Sequence, residues 1–238
     1  MSSLQTTSMT EQSAITLYTI STWVIPLLIA ITFHEASHGY VARLRGDDTA
    51  WSRGRVSFNP FRHVDPFGTV MLPALLLLMR SPFLFGYVKP VPVNFGALRN
   101  PRLDPILVAA AGPAMNFALA ALAGLSIHLL FYLPDAVATW VADNLKNAIL
   151  INVLLAVFNL VPIPPLDGGR IAVGILPEVL AEPLARLEPY GLMIVIGLVF
   201  ILPLLGAQLG IDLNFVWQAI DRSTAAIING ILWLTGNT

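Results

Sequence analysis

The sequence predicts an all-α polytopic membrane protein with about five to six membrane helices, a re-entrant segment and a short extended or β-hairpin element near residues 86–95. Hydrophobic residues make up 56% of the 238 and charged residues only 11%, whereas ordinary soluble domains are about a quarter charged. The mean hydropathy is +0.74. Several apolar runs also approach the roughly 20 residues a helix needs to cross a bilayer. Once those spans are subtracted, the length leaves room for one membrane domain, 1–238, with a core at about 14–170 and C-terminal helices at about 171–238.

Charge and cysteine usage narrow the classes further. A net charge of −1 and a pI near 6.4 give no basic surface to collect nucleic acid, so the expected surroundings are a lipid bilayer without a nucleic-acid partner. There is no cysteine, which excludes disulfides, thiol catalysis and thiolate-bound metal. Any metal must be held by His and carboxylate. The polar first twelve residues lack the basic flank of a secretory signal, so the apolar run after them is expected to stay as the first span.

That first helix is expected over 14–45, ending at Gly46-Asp47-Asp48. No Lys or Arg precedes Arg43, and Arg43, Arg45, Arg53, Arg55 and Arg62 follow closely. The excess of positive charge places this loop in the cytoplasm and the N-terminus outside. Residues 51–66 read as loop and turn, and His63, beside Arg62 and Asp65, reads as a solvated side chain outside any site.

Residues 67–88 are apolar from Phe67 to Met79, a run of 13 interrupted by Pro73 and followed by Arg80-Ser81-Pro82. A run of that length suits a re-entrant dip better than a full span, and positive charge on both flanks agrees. Gly86 to Asn94 alternates Pro with Val, which fits either an edge strand or hairpin, or a loop of polyproline character.

A second long helix is expected over 103–133. Its Ala109 to Ala114 stretch is made of small residues that let backbones approach, and Asn116 is a buried amide suited to a helix–helix bond or a substrate contact. Pro134, Asp135, Asp143 and Asn144 suggest an outside loop, with the next span at 146–160. Three prolines then end regular helix before Leu166-Asp167-Gly168-Gly169. An amphipathic cytoplasmic segment follows, then a 22-residue span from Tyr190 to Ile211 with Pro203 inside it. Residues 213–233 either span or lie in the interface, because Asp221-Arg222 falls in the middle.

The chemistry concentrates at His34-Glu35-Ala36-Ser37-His38. On a helix the two imidazoles are one turn apart on one face, where both can reach one ion, and Glu35 beside them can handle protons. This is the H-E-x-x-H pattern of zinc hydrolases. Ionisable groups are costly inside a membrane, which favours a functional reading over an incidental one. Catalytic zinc takes three protein ligands and keeps one position open. Asp167 is the expected third ligand: it lies about 20 residues from the outer start of its span, a depth matching that of His34. Asp65 and Asp104 fall in loops or at a helix mouth, and Asp47 and Asp48 read as solvated caps. Zinc would make hydroxide available near neutral pH, Glu35 would shuttle the proton, and Asn116 or Asn159 would donate to the developing oxyanion.

Taken together, these pieces resemble the site-2 proteases, the intramembrane zinc metalloproteases. The resemblance rests on His34 to His38, on Gly112-Pro113-Ala114-Met115-Asn116, and on Asn159 through Pro162, Pro164 and Leu166-Asp167-Gly168. These three motifs, in order, cover about residues 20–170. The resemblance implies that His34, His38 and Asp167 bind one Zn2+, that Glu35 is catalytic and that Asn116 assists. It also implies a transmembrane protein substrate cut within or near the bilayer, and a compact bacterial form without PDZ or CBS domains. The membrane-facing β-hairpin of that family maps onto Gly86 to Asn94. The expected location is a plasma or inner membrane with the active site toward the cytoplasm. The alternative from another class is a metal or ion transporter using the same His and Asp cluster; it leaves Glu35 without a role.

Overall fold

Helix α1, Ser2–Leu44, runs without interruption into the H-E-x-x-H segment. In the computed structural model, which describes residues 2–71, 75, 78 and 88–237, Trp23, Ile25, Leu27 and Ile29 are exposed on it. Thr22, Ala30, Thr32, His34 and Ala36 are buried. One face is therefore apolar and outward, as a lipid-facing surface must be, and the other packs on protein. A short helix α2, Thr49–Ser52, follows the α1 turn.

Two long helices complete the core: α3, Leu103–Ser126, and α4, Asp135–Asn159. Both pack against α1 and against each other. Buried Ala109, Gly112, Ala120, Ala123 and Gly124 bring α3 close to its neighbours. Six residues of 3-10 helix, Ile127–Tyr132, finish α3, where His128 Nε2–H donates to the Thr235 carbonyl at 2.7 Å. Helix α5, Asp167–Ile175, packs on α3, and α6, Glu178–Ala185, on α5.

Next come α7, Gly191–Ile196, a π-helical turn at Gly197–Ile201, and α8, Leu202–Leu209. The π turn ends two residues before Pro203, which lacks an N–H and crowds the preceding turn. Helix α9, Phe215–Leu234, returns to the core through Ile231, which clusters with Ala120, Ala123, Ile149 and Val153.

Among the described residues four stretches are long and apolar enough to cross a membrane: Ser13–Leu44, Leu103–Tyr132, Asp135–Asn159 and Glu178–Leu209. The sequence reading expected five to six. Helix α9 has the length, but Gln218, Asp221, Arg222 and Asn229 leave it too polar. Most of the expected re-entrant segment lies outside the described residues.

Of the two readings of 86–94, the hairpin is not confirmed in its described part: residues 88–94 form no strand, and no strand occurs among the described residues. The donors that a β-ladder needs are used elsewhere. Pro90 and Pro92 have none, Lys89 N–H goes to the His63 carbonyl, Val91 N–H to Glu35 and Asn94 N–H to Asp47. This segment is a strap laced across the end of α1.

Helix α4 also begins at Asp135, eleven residues before the expected start at 146. Asp143, one of the polar residues that suggested a loop, belongs instead to a seam with α1. Tyr18 Oη donates to Asp143 Oδ2 at 2.6 Å, Trp140 Nε1 to Ser21 Oγ at 2.9 Å and Asn147 Nδ2 to the Thr22 carbonyl at 2.9 Å.

Candidate metal centre

The α1 helix carries His34 and His38 inward one turn apart, with ring centroids 4.7 Å apart and planes at 83°. Asp167 arrives as the first residue of α5, immediately after the proline-rich turn. The turn is tight because Gly168 and Gly169 press on backbone: a Cβ on the first would overlap the Leu160 carbonyl, and on the second Pro164. Only glycines permit that approach, and it sets the carboxylate opposite the imidazoles.

Three atoms then converge. His34 Nε2 lies 3.2 Å from Asp167 Oδ2, His38 Nε2 lies 3.4 Å from it, and the two Nε2 atoms are 3.1 Å apart. All three residues are buried, at 5%, 9% and 8% exposure. Ligand atoms about 2.0–2.1 Å from a tetrahedral zinc are separated by about 3.4 Å, so the triangle has the dimensions of three zinc ligands.

The partners of the outer ring nitrogens agree. His38 Nδ1–H donates to the Val108 carbonyl at 2.7 Å. His34 Nδ1–H donates to Asn116 Oδ1 at 2.6 Å. In the neutral rings each Nε2 is thereby left as a lone pair. Asp167 Oδ2 is buried beside them. With both imidazoles neutral, three acceptors face one another, and a cation at their centre resolves the repulsion. The donor set, two nitrogens and one carboxylate oxygen, suits zinc. Gly112 of α3 completes the cradle, since a Cβ there would stand 2.5 Å from His38 Nε2 and 2.6 Å from His34 Nε2.

Glu35 is half-buried beside the triangle, and its Oε2 accepts the Val91 N–H at 2.9 Å. Asn116, wholly buried, is fully engaged: Oδ1 accepts from His34, and Nδ2 donates to the Ala30 carbonyl at 3.2 Å and to Asn152 Oδ1 at 2.8 Å. Asn159 caps its own helix through the Leu155 carbonyl at 2.9 Å. Among the described residues His34, His38 and Asp167 form the one group of His and carboxylate side chains able to hold an ion.

Several residues sit differently from their sequence reading. His63 is buried rather than solvated, its Nε2–H donating to the Ser57 carbonyl at 2.7 Å, and it stays outside the triangle. Asp47 is buried too, accepting from Thr49 N–H at 2.9 Å and Asn94 N–H at 2.7 Å, while Asp48 pairs with Arg43 at the surface. Asp104 is buried, accepting Asn100 N–H at 2.8 Å, with Arg45 Nε 3.7 Å away. The sequence reading passed over Gly112 as a cradle wall, and Asn152. The signal for Asn152 was present, because an amide in the apolar run 148–158 must find a partner.

Comparison with known proteins agrees with this chemistry. Residues 126–204 match peptidase family M50. The candidate zinc metalloprotease YwhC of Bacillus subtilis (strain 168) is 36% identical over 214 residues, covering 88% of this chain and 93% of that protein. Candidate zinc metalloproteases named Rip2 are similar over shorter stretches. The Mycolicibacterium smegmatis protein is 28% identical over 172 residues, 72% of this chain and 63% of that protein. The Mycobacterium tuberculosis (strain H37Rv) protein is 32% identical over 141 residues, 59% and 52% respectively. No solved structure matches the chain.

Proposed function

The chain belongs to peptidase family M50, and on that premise we propose that His34, His38 and Asp167 hold the zinc of an intramembrane metalloprotease whose proton carrier is Glu35. The observation that carries the assignment is the convergence of two imidazole nitrogens and one carboxylate oxygen 3.1–3.4 Å apart. Zinc, when bound, acts as a Lewis acid and lowers the pKa of water to about 7.

The protein side of the reaction follows from the bonds around it. Glu35 keeps Oε1 free of the strap while Val91 holds Oε2, so one oxygen is oriented and the other can take a proton from water and return it to the leaving amine. The Val108 carbonyl and Asn116 hold the two imidazoles in the ligating tautomer. With both of its N–H groups occupied, Asn116 serves through His34 rather than by contact with the substrate.

The site-2 family acts on membrane proteins within the bilayer. The substrate here is a transmembrane helix that unwinds locally, since peptide groups inside a helix are shielded from attack. The site faces the cytoplasm, a placement supported by Arg43 in the last turn of α1 and by Arg45, Arg53, Arg55 and Arg62 just after it. The whole chain, 1–238, acts as one domain, with α3, α4 and α9 joined in one apolar cluster.

The decisive experiment compares two variants. Glu35→Gln retains zinc and loses cleavage of a membrane-protein substrate, whereas Asp167→Ala loses zinc. Full proteolysis by Glu35→Gln, or full zinc retention by Asp167→Ala, would refute the assignment.

A further inference from the structure

We propose that Asn152 of α4 is a positioning residue for the metal centre, acting through Asn116 to decide which nitrogen of His34 faces Asp167. The inference rests on the assignment of His34 as a ligand and extends it to a residue 36 positions beyond Asn116 that touches neither ligand nor substrate.

Asn152 is buried at 2% exposure. Its Nδ2 donates to the Ala148 carbonyl at 2.8 Å, which turns its Oδ1 toward Asn116. Asn116 must therefore present its NH2 there, and the second N–H of that group meets the Ala30 carbonyl at 3.2 Å. Rotating the Asn116 amide by half a turn would set its oxygen against two acceptors, Ala30 O and Asn152 Oδ1. Oδ1 is left facing His34 Nδ1 at 2.6 Å, so that nitrogen carries the proton and Nε2 is the lone pair. The relay runs Ala148 carbonyl, Asn152, Asn116, His34, with every polar atom in it satisfied. In a membrane interior no water substitutes for a missing member.

Asn147 supplies an internal control. It lies on the same helix, is buried at 9% exposure and spends its amide on the Thr22 carbonyl, away from the ligands. Its loss damages packing of α1 on α4 without touching the relay.

The test uses the full chain in lipid nanodiscs, with zinc affinity measured by chelator competition and turnover measured on a membrane-protein substrate. Asn152→Leu is expected to weaken zinc by about tenfold or more and to lower kcat with KM little changed. Asn152→Asp, whose protonated carboxyl donates to the Ala148 carbonyl and still accepts from Asn116, restores most of the affinity, and Asn147→Leu leaves zinc affinity at the wild-type level. Wild-type zinc affinity in Asn152→Leu overturns the proposal, as does an equal loss in Asn147→Leu. If Asn152→Leu does not fold, 15N-histidine spectra of metal-free wild type decide: the Nδ1–H tautomer of His34 supports the relay and the Nε2–H tautomer overturns it. His34→Ala tests the underlying ligand assignment separately, because full zinc retention there would remove His34 from the site whatever Asn152 does.

Discussion

The backbone N–H of Val91 donates to Glu35 Oε2 at 2.9 Å, so the carboxylate between His34 and His38 in the sequence is held by the strap and not by its own helix. The strap is in turn fastened at both ends. Arg55 Nη2 donates to the Lys89 carbonyl at 2.8 Å, and Asp47 accepts from Asn94 at 2.7 Å. Catalytic geometry and loop position are thus linked through one peptide group.

Removing that group tests the link. Val91→Pro deletes the donor while leaving the segment extended and proline-rich. A hydrogen bond to a charged group is worth about 1.5–3 kcal/mol, so turnover is expected to fall by about tenfold or more with zinc content unchanged. Zinc analysis beside a cleavage assay checks it; loss of metal in this variant would show that the strap supports the ligands instead.

Gly112 offers a test from the opposite wall. Gly112→Ala places a methyl 2.5 Å from His38 Nε2 and 2.6 Å from His34 Nε2. Ala suits an α-helix better than Gly, so the variant is expected to fold and yet to lose both zinc and cleavage. Folded protein with wild-type zinc content would mean that α3 can retreat from the imidazoles.

Metal removal has a predicted sign. Stripping zinc with a chelator leaves three buried acceptors face to face, and any ligand that binds only the native state stabilises it by mass action. The apparent Tm is expected to fall on chelation and to recover on adding zinc. Asp167→Ala should abolish the response; a Tm indifferent to zinc in the wild type would contradict the site.

Acid should loosen the strap at Asp47. Burial pushes this carboxyl up, but bonds from Thr49 and Asn94 and the charge of Arg53 outweigh it, and the net effect is a pKa below the ordinary 3.8. A lowered native pKa means stability present above 3.8 and lost as pH falls through the native value. Hydrogen exchange at Asn94 is expected to rise in that acid window and to be fast at all pH in Asp47→Ala. Unchanged protection at Asn94 in that variant would detach Asp47 from the strap.

The pairing of His34 with His38 was legible because helical periodicity is constant geometry: about 3.6 residues per turn sets them one turn apart on one face. The depth count for Asp167 assumed a span starting at 146, whereas α4 begins at Asp135 and Asp167 opens a separate helix after the proline-rich turn. What failed was the reading of polar residues as solvent-facing. Asp135 to Lys146 looked like a loop, yet Asp143 and Trp140 meet Tyr18 and Ser21 across a helix pair. His63 and Asp47 looked solvated, yet both are buried because backbone groups of neighbouring turns bond to them. The hairpin reading rested on alternation and on the family resemblance, and neither reveals where each N–H goes. Asn152 could not be linked to His34 without knowing which faces of α1, α3 and α4 meet.

The seating of Gly168 and Gly169 against the Leu160–Pro164 backbone has a consequence for how the molecule is made. A chain emerging from the ribosome carries both imidazoles long before it has their acidic counterpart, and that counterpart is oriented only once the turn beneath it has closed. On the proposed ligand set, capture of the ion is therefore a late event in biogenesis, and shortened chains ending before Asp167 are expected to be inert however well their first helices insert.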